Sequence, residues 1–140
     1  MQFGTVLHYA LSLVSTSEDI TPAVEQLIRE GLISVEKQKE IFEILSRVVE
    51  HPLLIPYFSP GSQVRNELEI LAKNGLILRP DRLVFRSGGV TVMDYKTGQR
   101  RNTHREQVQA YCQALRETGR TIESAIIIYI DQKDITPEFI

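Results

Sequence analysis

Cysteine is nearly absent: only Cys112 carries a thiol in the 140 residues. An internal disulfide is therefore excluded, and so is an iron–sulfur or zinc centre built from cysteines alone. Long apolar runs are missing too. No stretch approaches the roughly 20 residues that a membrane-spanning helix needs. Met1 to Val14 places His8 inside a helical periodicity instead of the unbroken apolar core of a signal peptide. A cytoplasmic protein with no membrane partner is the expectation. There is no internal repeat and no low-complexity tract. Net charge is also slight, −2 at pH 7, so bulk charge does not by itself point to nucleic acid. A chain with 42% hydrophobic and 24% charged residues is ordinary globular material, long enough for one domain and too short for two.

The basic residues are unevenly placed. Arg79, Arg82, Arg86, Lys96, Arg100, Arg101 and Arg105 crowd one segment against only Asp81 and Asp94. Such local density suits a polyanion, although a solvated loop between strand and helix accounts for it as well.

Taken in order, Phe3, Val6, Leu7, Ala10, Leu11 and Val14 recur at three- and four-residue steps, the stripe of an amphipathic helix. His8 lies beside that stripe, where a satisfied structural histidine is the ordinary outcome. Thr21-Pro22 reads as a helix start and Gly31 as its stop. Ser34 caps a following helix that buries Ile41, Phe42, Ile44, Leu45, Val48 and Val49 and ends before Pro52. The proline-rich stretch from His51 to Gly61 carries Leu53, Leu54, Tyr57 and Phe58, too many large apolar groups for a disordered linker.

The remainder, 62–140, reads as a sheet core. Strands are expected over Gln63–Ala72, Leu76–Arg86, Val90–Thr97 and Ser124–Ile130, with Ser87-Gly88-Gly89 as a hairpin turn. Along the third, Val90, Val92, Asp94 and Lys96 share one face and Met93 and Tyr95 the other. An acid and a base ending an apolar strand are costly to bury unpaired. With Asp81 reaching the same end from the partner strand, two carboxylates and an ammonium could hold a hard divalent cation beside a phosphate. A helix over Thr103–Glu117 presents Val108, Tyr111, Cys112 and Leu115, with Gln107 and Tyr111 one turn apart. Such a stripe is also what simple core packing requires. Strand, helix, strand at this end implies a parallel crossover.

Together these features resemble the PD-(D/E)XK nuclease superfamily, most closely its RecB-like exonuclease branch. Gly4-Thr5-Val6-Leu7-His8 is similar to the Gly-x-x-x-His helix motif. Asn66-Glu67-Leu68-Glu69 is similar to an acidic strand motif, and Pro80-Asp81 to the Pro-Asp element. Asp94-Tyr95-Lys96-Thr97-Gly98 resembles the Asp-x-Lys element, and Gln107 to Tyr111 the Gln-x-x-x-Tyr signature.

The resemblance implies a restriction-endonuclease-like α/β fold, a central mixed sheet flanked by helices. It implies a Mg²⁺-dependent deoxyribonuclease, with Mn²⁺ able to substitute, in which Asp81, Asp94, Lys96 and Glu67 are catalytic. His8, Asp81, Asp94 and the Tyr95 carbonyl would be metal ligands, Gln107 and Tyr111 would hold the DNA backbone or order the lysine, and Arg100, Arg101 and Arg105 would bind flanking DNA phosphates. Domains of this branch usually follow a helicase portion in recombination and repair enzymes. The chain is accordingly expected to be the C-terminal nuclease part of such an assembly, with DNA and a helicase ATPase as partners. A catalytically silent DNA-binding or scaffolding module of the same fold is the alternative.

Overall fold

The computed structural model describes residues 2–140, so Met1 of the first expected helix lies outside it. Three helices precede the sheet: α1 (Phe3–Ser12), α2 (Ile20–Arg29) and α3 (Gln38–Val49). Seven strands follow: β1 (Gln63–Asn66), β2 (Ile70–Leu71), β3 (Ile77–Leu78), β4 (Arg82–Arg86), β5 (Gly89–Lys96), β6 (Ile122–Ile130) and β7 (Ile135–Phe139). A fourth helix, α4 (Asn102–Glu117), links β5 to β6. Strands β1-β4-β5-β6-β7 form one mixed sheet in that order, parallel only between β5 and β6.

The helix stripes and strand alternation meet in two cores. On one face α1–α3 bury Leu7, Leu11, Leu27, Leu45 and Val48 against Val84, Met93, Tyr95, Ile126 and Ile128. On the other, α4 sets Val108, Tyr111, Cys112 and Leu115 on Leu83, Val92 and Ile127. The apolar run in β6 is thus covered on both sides, as expected for a strand beside a parallel partner. The connector after α3 is ordered and anchored by Leu54 and Phe58, both buried.

Helix α2 ends as expected. Gly31 has φ +73°, its N–H bonds to Ile28 O at 3.0 Å and Leu32 N–H to Leu27 O at 2.9 Å, the paired bonds of a Schellman stop. Its start differs from the sequence reading. Thr16 is the cap, its N–H donating to Asp19 Oδ2 at 3.0 Å, and a 3-10 turn over Ser17–Asp19 leads into the helix. Thr21-Pro22 sits inside the first helical turn, which tolerates proline because those N–H groups lack partners anyway. Ser34 precedes a 3-10 turn (Val35–Lys37) and makes no side-chain cap bond. Phe42, expected in the core, is 40% exposed.

The largest correction concerns two strands. Gln63–Ala72 and Leu76–Arg86 are not continuous. Glu67 adopts φ +55°, a conformation rare for a side chain with a β-carbon, and turns the chain out of the sheet. Residues 70–78 then form a separate hairpin, β2 with β3, which returns at Asp81. The sheet's last strand, β7, was not expected. It is short, half exposed and contains Pro137, which only an edge strand accommodates.

Arg82 is the main polar tie across the layers. Its side chain is fully buried, and it donates to Val14 O (2.7 Å), Ser15 O (2.8 Å) and Tyr57 O (2.8 Å) while lying 4.0 Å over the Phe58 ring. The guanidinium therefore joins β4 to the segment after α1 and to the connector. It cannot serve the basic surface to which the sequence assigned it. Replacing it with Met would fill the volume but leave three carbonyls unpaired, so Arg82→Met should cost at least about 3 kcal/mol. A lowered urea midpoint with unchanged slope is the expected reading.

Candidate metal-dependent nuclease site

The site lies where β5 ends. Asp94 points to the α4 side of the sheet and is 2% exposed. Asp81 precedes β4, in a bend instead of on the strand proper. Its Oδ2 accepts the Tyr95 N–H at 2.8 Å, so the backbone of β5 holds the second carboxylate in place. Glu67 N–H donates to Asp81 O at 3.0 Å and pins the residue from the β1 side.

Helix α1 delivers His8. A β-carbon on Gly4 would stand 2.6 Å from Thr97 Oγ1, so the glycine lets the helix lie against the end of β5. One turn later, His8 Nε2 is 2.7 Å from Tyr95 O and 3.3 Å from Asp81 Oδ2, while Nδ1 is 2.8 Å from Gly4 O. Every neighbour of the ring nitrogens is an acceptor. The imidazole consequently holds its proton, with a pKa raised to about 9, chiefly through the hydrogen bond to Asp81 and against the opposing effect of burial.

The two carboxylates differ sharply. Burial first, then the charge of Asp81, pushes Asp94 up to about 7 despite nearby Lys96. Burial is also the largest single influence on Asp81, but its bonds to protonated His8, Asp94 and the Tyr95 N–H together with the His8 charge outweigh it and hold the carboxyl below the usual range. Two like charges in a dry pocket cannot both ionise cheaply, and the pair responds by keeping one proton.

Lys96 Nζ lies 2.9 Å from Asp94 Oδ2, an ion pair without hydrogen-bond alignment, since that oxygen is buried and has no hydrogen-bond partner. The ammonium instead donates to Gln107 Oε1 at 2.7 Å. Helix α4 thus positions the lysine through Gln107, and Tyr111 one turn further on is buried in the α4 core. Burial and the charges of Asp94 and Asp81 raise the Tyr111 phenol above its ordinary value.

The donor set fits a hard cation. It offers one buried carboxylate oxygen without a hydrogen-bond partner, a second carboxylate, a carbonyl and an imidazole whose proton a metal would replace. Among the described residues no three His, Cys, Asp or Glu side chains form a closed metal cluster, so carbonyl and solvent ligands would be needed.

The sequence model of the PD-(D/E)XK nuclease superfamily matches residues 1–138. The chain belongs to that superfamily. The five-stranded mixed sheet flanked by helices is consistent with its restriction-endonuclease-like fold. Superfamily members are generally nucleases, which typically use divalent metals such as Mg²⁺. Among solved structures, the crystal structure of SSO0001 is similar over 76% of this chain, at 20% identity and a TM-score of 0.41. The chain spans 60% of that protein's length. No curated protein matches.

The structure therefore gathers His8, Asp81, Asp94, Tyr95, Lys96 and Gln107. Glu67 is connected through its backbone, and its side chain is exposed. Arg101 is exposed just before α4, whereas Arg100 and Arg105 both face Glu138 of β7. Glu138, with His104 and Tyr129 nearby, was missed because the strand that carries it was missed. No helix of the described residues is long and apolar enough to cross a membrane.

A pH profile follows from Asp94. Its folded pKa, about 7, exceeds the unfolded value of about 3.9, so the native state retains a proton that the unfolded chain has already lost. Loss of the His8 proton should lower metal-free stability between about pH 6.5 and about pH 9, whereas the Asp94 contribution should fall as pH rises from about 4 to about 7 and then level off. Asp94→Asn should remove most of that fall, leaving the variant more stable than wild type at pH 8 but little changed at pH 4, as read by denaturant midpoints at each pH. Gly4→Val should separate α1 from Thr97 and lower the His8 pKa towards its ordinary value in an NMR titration.

Proposed function

We propose that the chain is a metal-dependent deoxyribonuclease, acting as an exonuclease within a helicase-nuclease of DNA recombination or repair. Superfamily membership supports hydrolysis of phosphodiester bonds. The single observation that carries the assignment to these residues is the meeting of Asp81, Asp94 and Lys96 at the end of β5.

Bound Mg²⁺, or Mn²⁺ in its place, would stabilise the negative charge that builds on the phosphate and leaving oxygen. Asp81 and Asp94 would hold it, with His8 and the Tyr95 carbonyl completing the protein ligands. Lys96 orients the attacking water or takes part in its deprotonation, and neutralises charge at the scissile phosphate. Water attacks phosphorus, the bond to the leaving sugar oxygen breaks, and that oxygen gains a proton. Gln107 keeps Lys96 directed at this reaction. Glu67 fixes the Asp81 backbone, and its exposed carboxylate is free to approach substrate. Arg100, Arg101 and Arg105 contact the DNA backbone, giving affinity without base readout, while Tyr111, buried in the α4 core, supports the side of the site that orders Lys96. A helicase ATPase portion would deliver the strand, making this chain the nuclease portion of a larger assembly with a helical part over 1–61 and the sheet core over 62–140.

The test is cleavage of end-labelled linear DNA with Mg²⁺ or Mn²⁺. Activity should vanish with EDTA and with Asp94→Ala, and fall roughly 10²–10³-fold with Lys96→Ala, the loss typical of one charge-stabilising donor. Metal-dependent cutting unchanged by Asp94→Ala would refute the assignment. Product length and end chemistry report exonuclease action and its polarity.

A further inference from the structure

Glu138 is an acid set among the arginines of the basic surface beside the site. Arg105 Nη1 donates to its Oε1 at 3.1 Å, and Arg100 Nη1 lies 3.9 Å from its Oε2. Each carboxylate oxygen therefore faces a different guanidinium, as two oxygens of a phosphodiester would. Arg100 is supported from below. Arg100 stacks 5.0 Å from the Tyr129 ring centre, and the Tyr129 hydroxyl is 3.1 Å from His104 Nδ1 on the first turn of α4.

Strand register relates this cluster to the carboxylates. Asp94 is paired with Ile127, and Ile127 with Glu138. In-register partners project from the same face, so Glu138 stands on the face that carries Asp94. The two lie two strands apart, on the order of 10 Å between α-carbons. Lys96 is likewise the register partner of Tyr129. A strand held at Asp94 and Lys96 has this cluster as its immediate neighbour across β6 and β7.

We propose that Arg100 and Arg105 form a phosphate subsite for the substrate strand next to the cleaved bond, and that the Glu138 carboxylate is its resident phosphate mimic, displaced when nucleic acid binds. The proposal rests on the nuclease reading and adds to it the location of the neighbouring phosphate and a residue that weakens binding there. Partly exposed ion pairs are held only weakly against water. Release of Glu138 therefore opposes binding little, while its charge, if it stays close, repels the incoming phosphate. Glu138 also keeps both guanidinium groups ordered in the free protein, which limits the ordering cost when the strand arrives.

The experiment is fluorescence anisotropy of a short fluorescein-labelled oligodeoxynucleotide with the full chain, in Ca²⁺ to permit binding without cutting, across a salt series. Glu138→Gln, which keeps shape but not charge, should bind several-fold tighter, with the slope of log K against log salt steeper by about 1. Arg105→Ala and Arg100→Ala should each weaken binding and flatten that slope, and Glu138→Gln added to the double arginine variant should give no gain. Thermal melting accompanies each variant. Unchanged or weaker binding by a folded Glu138→Gln protein overturns the subsite, as does a large loss of melting temperature, which would make Glu138 a structural tie. If that happens while wild type still cuts DNA and Asp94→Ala does not, the nuclease reading stands alone. A wild type that neither binds nor cuts overturns both.

Discussion

Two carboxylates brought together where water is scarce form the constraint around which this fold is arranged. Asp94 is carried inward by a strand that is apolar on both sides, and Asp81 is held against the same strand by the Tyr95 N–H. Their repulsion must be relieved, and each relief recruits another element. Helix α1 supplies a protonated imidazole to Asp81, β5 supplies the Lys96 ammonium to Asp94, and a proton is retained on Asp94. A divalent cation would replace that proton and the one on His8 together. The arrangement costs stability as a fold and would favour a cation, the usual form of a stability–function trade-off.

Several of the polar contacts that tie the scaffold around this site run from a side chain to a distant backbone. Arg82 joins β4 to the segment after α1 and to the connector, and His8 joins α1 to β5. Gly4 permits the second contact by letting the helix approach Thr97. Such contacts make the helical layer part of the site instead of a mere cover. The site-bearing end of the sheet is also where the regular ladder is most interrupted. Glu67 turns out of β1 with a left-handed backbone, and the β2–β3 hairpin intervenes before Asp81. Leaving the ladder there frees Asp81 to turn its carboxylate onto β5 instead of pairing along a strand.

Helix α4 has a double role. Its buried stripe of Val108, Tyr111, Cys112 and Leu115 packs on the sheet, while Gln107 reaches Lys96 and the first turn carries His104 and Arg105 towards β6 and β7. The contact of Arg100 and Arg105 with Glu138 is a feature of this chain's own edge strand.

Much was legible in the sequence because its signals are local. The stripe of α1, the glycine stop of α2, the hairpin around Ser87-Gly88 and the apolar run of β6 each reflect a backbone period or a turn preference carried by neighbouring residues. The spacing of Asp94 and Lys96 determined that they share a face, and that of Gln107 and Tyr111 did the same. Tertiary structure decided the rest. Whether residues 63–72 stay in one sheet depends on Glu67 bonding to Asp81, fourteen residues away. Whether Arg82 serves a ligand or the core depends on carbonyls from Val14, Ser15 and Tyr57. Glu138 meets Arg105 only because β7 pairs beside β6, and its proline and exposed positions hide that strand from any periodicity. Periodicity records which face a residue occupies; only the folded chain determines what lies opposite it.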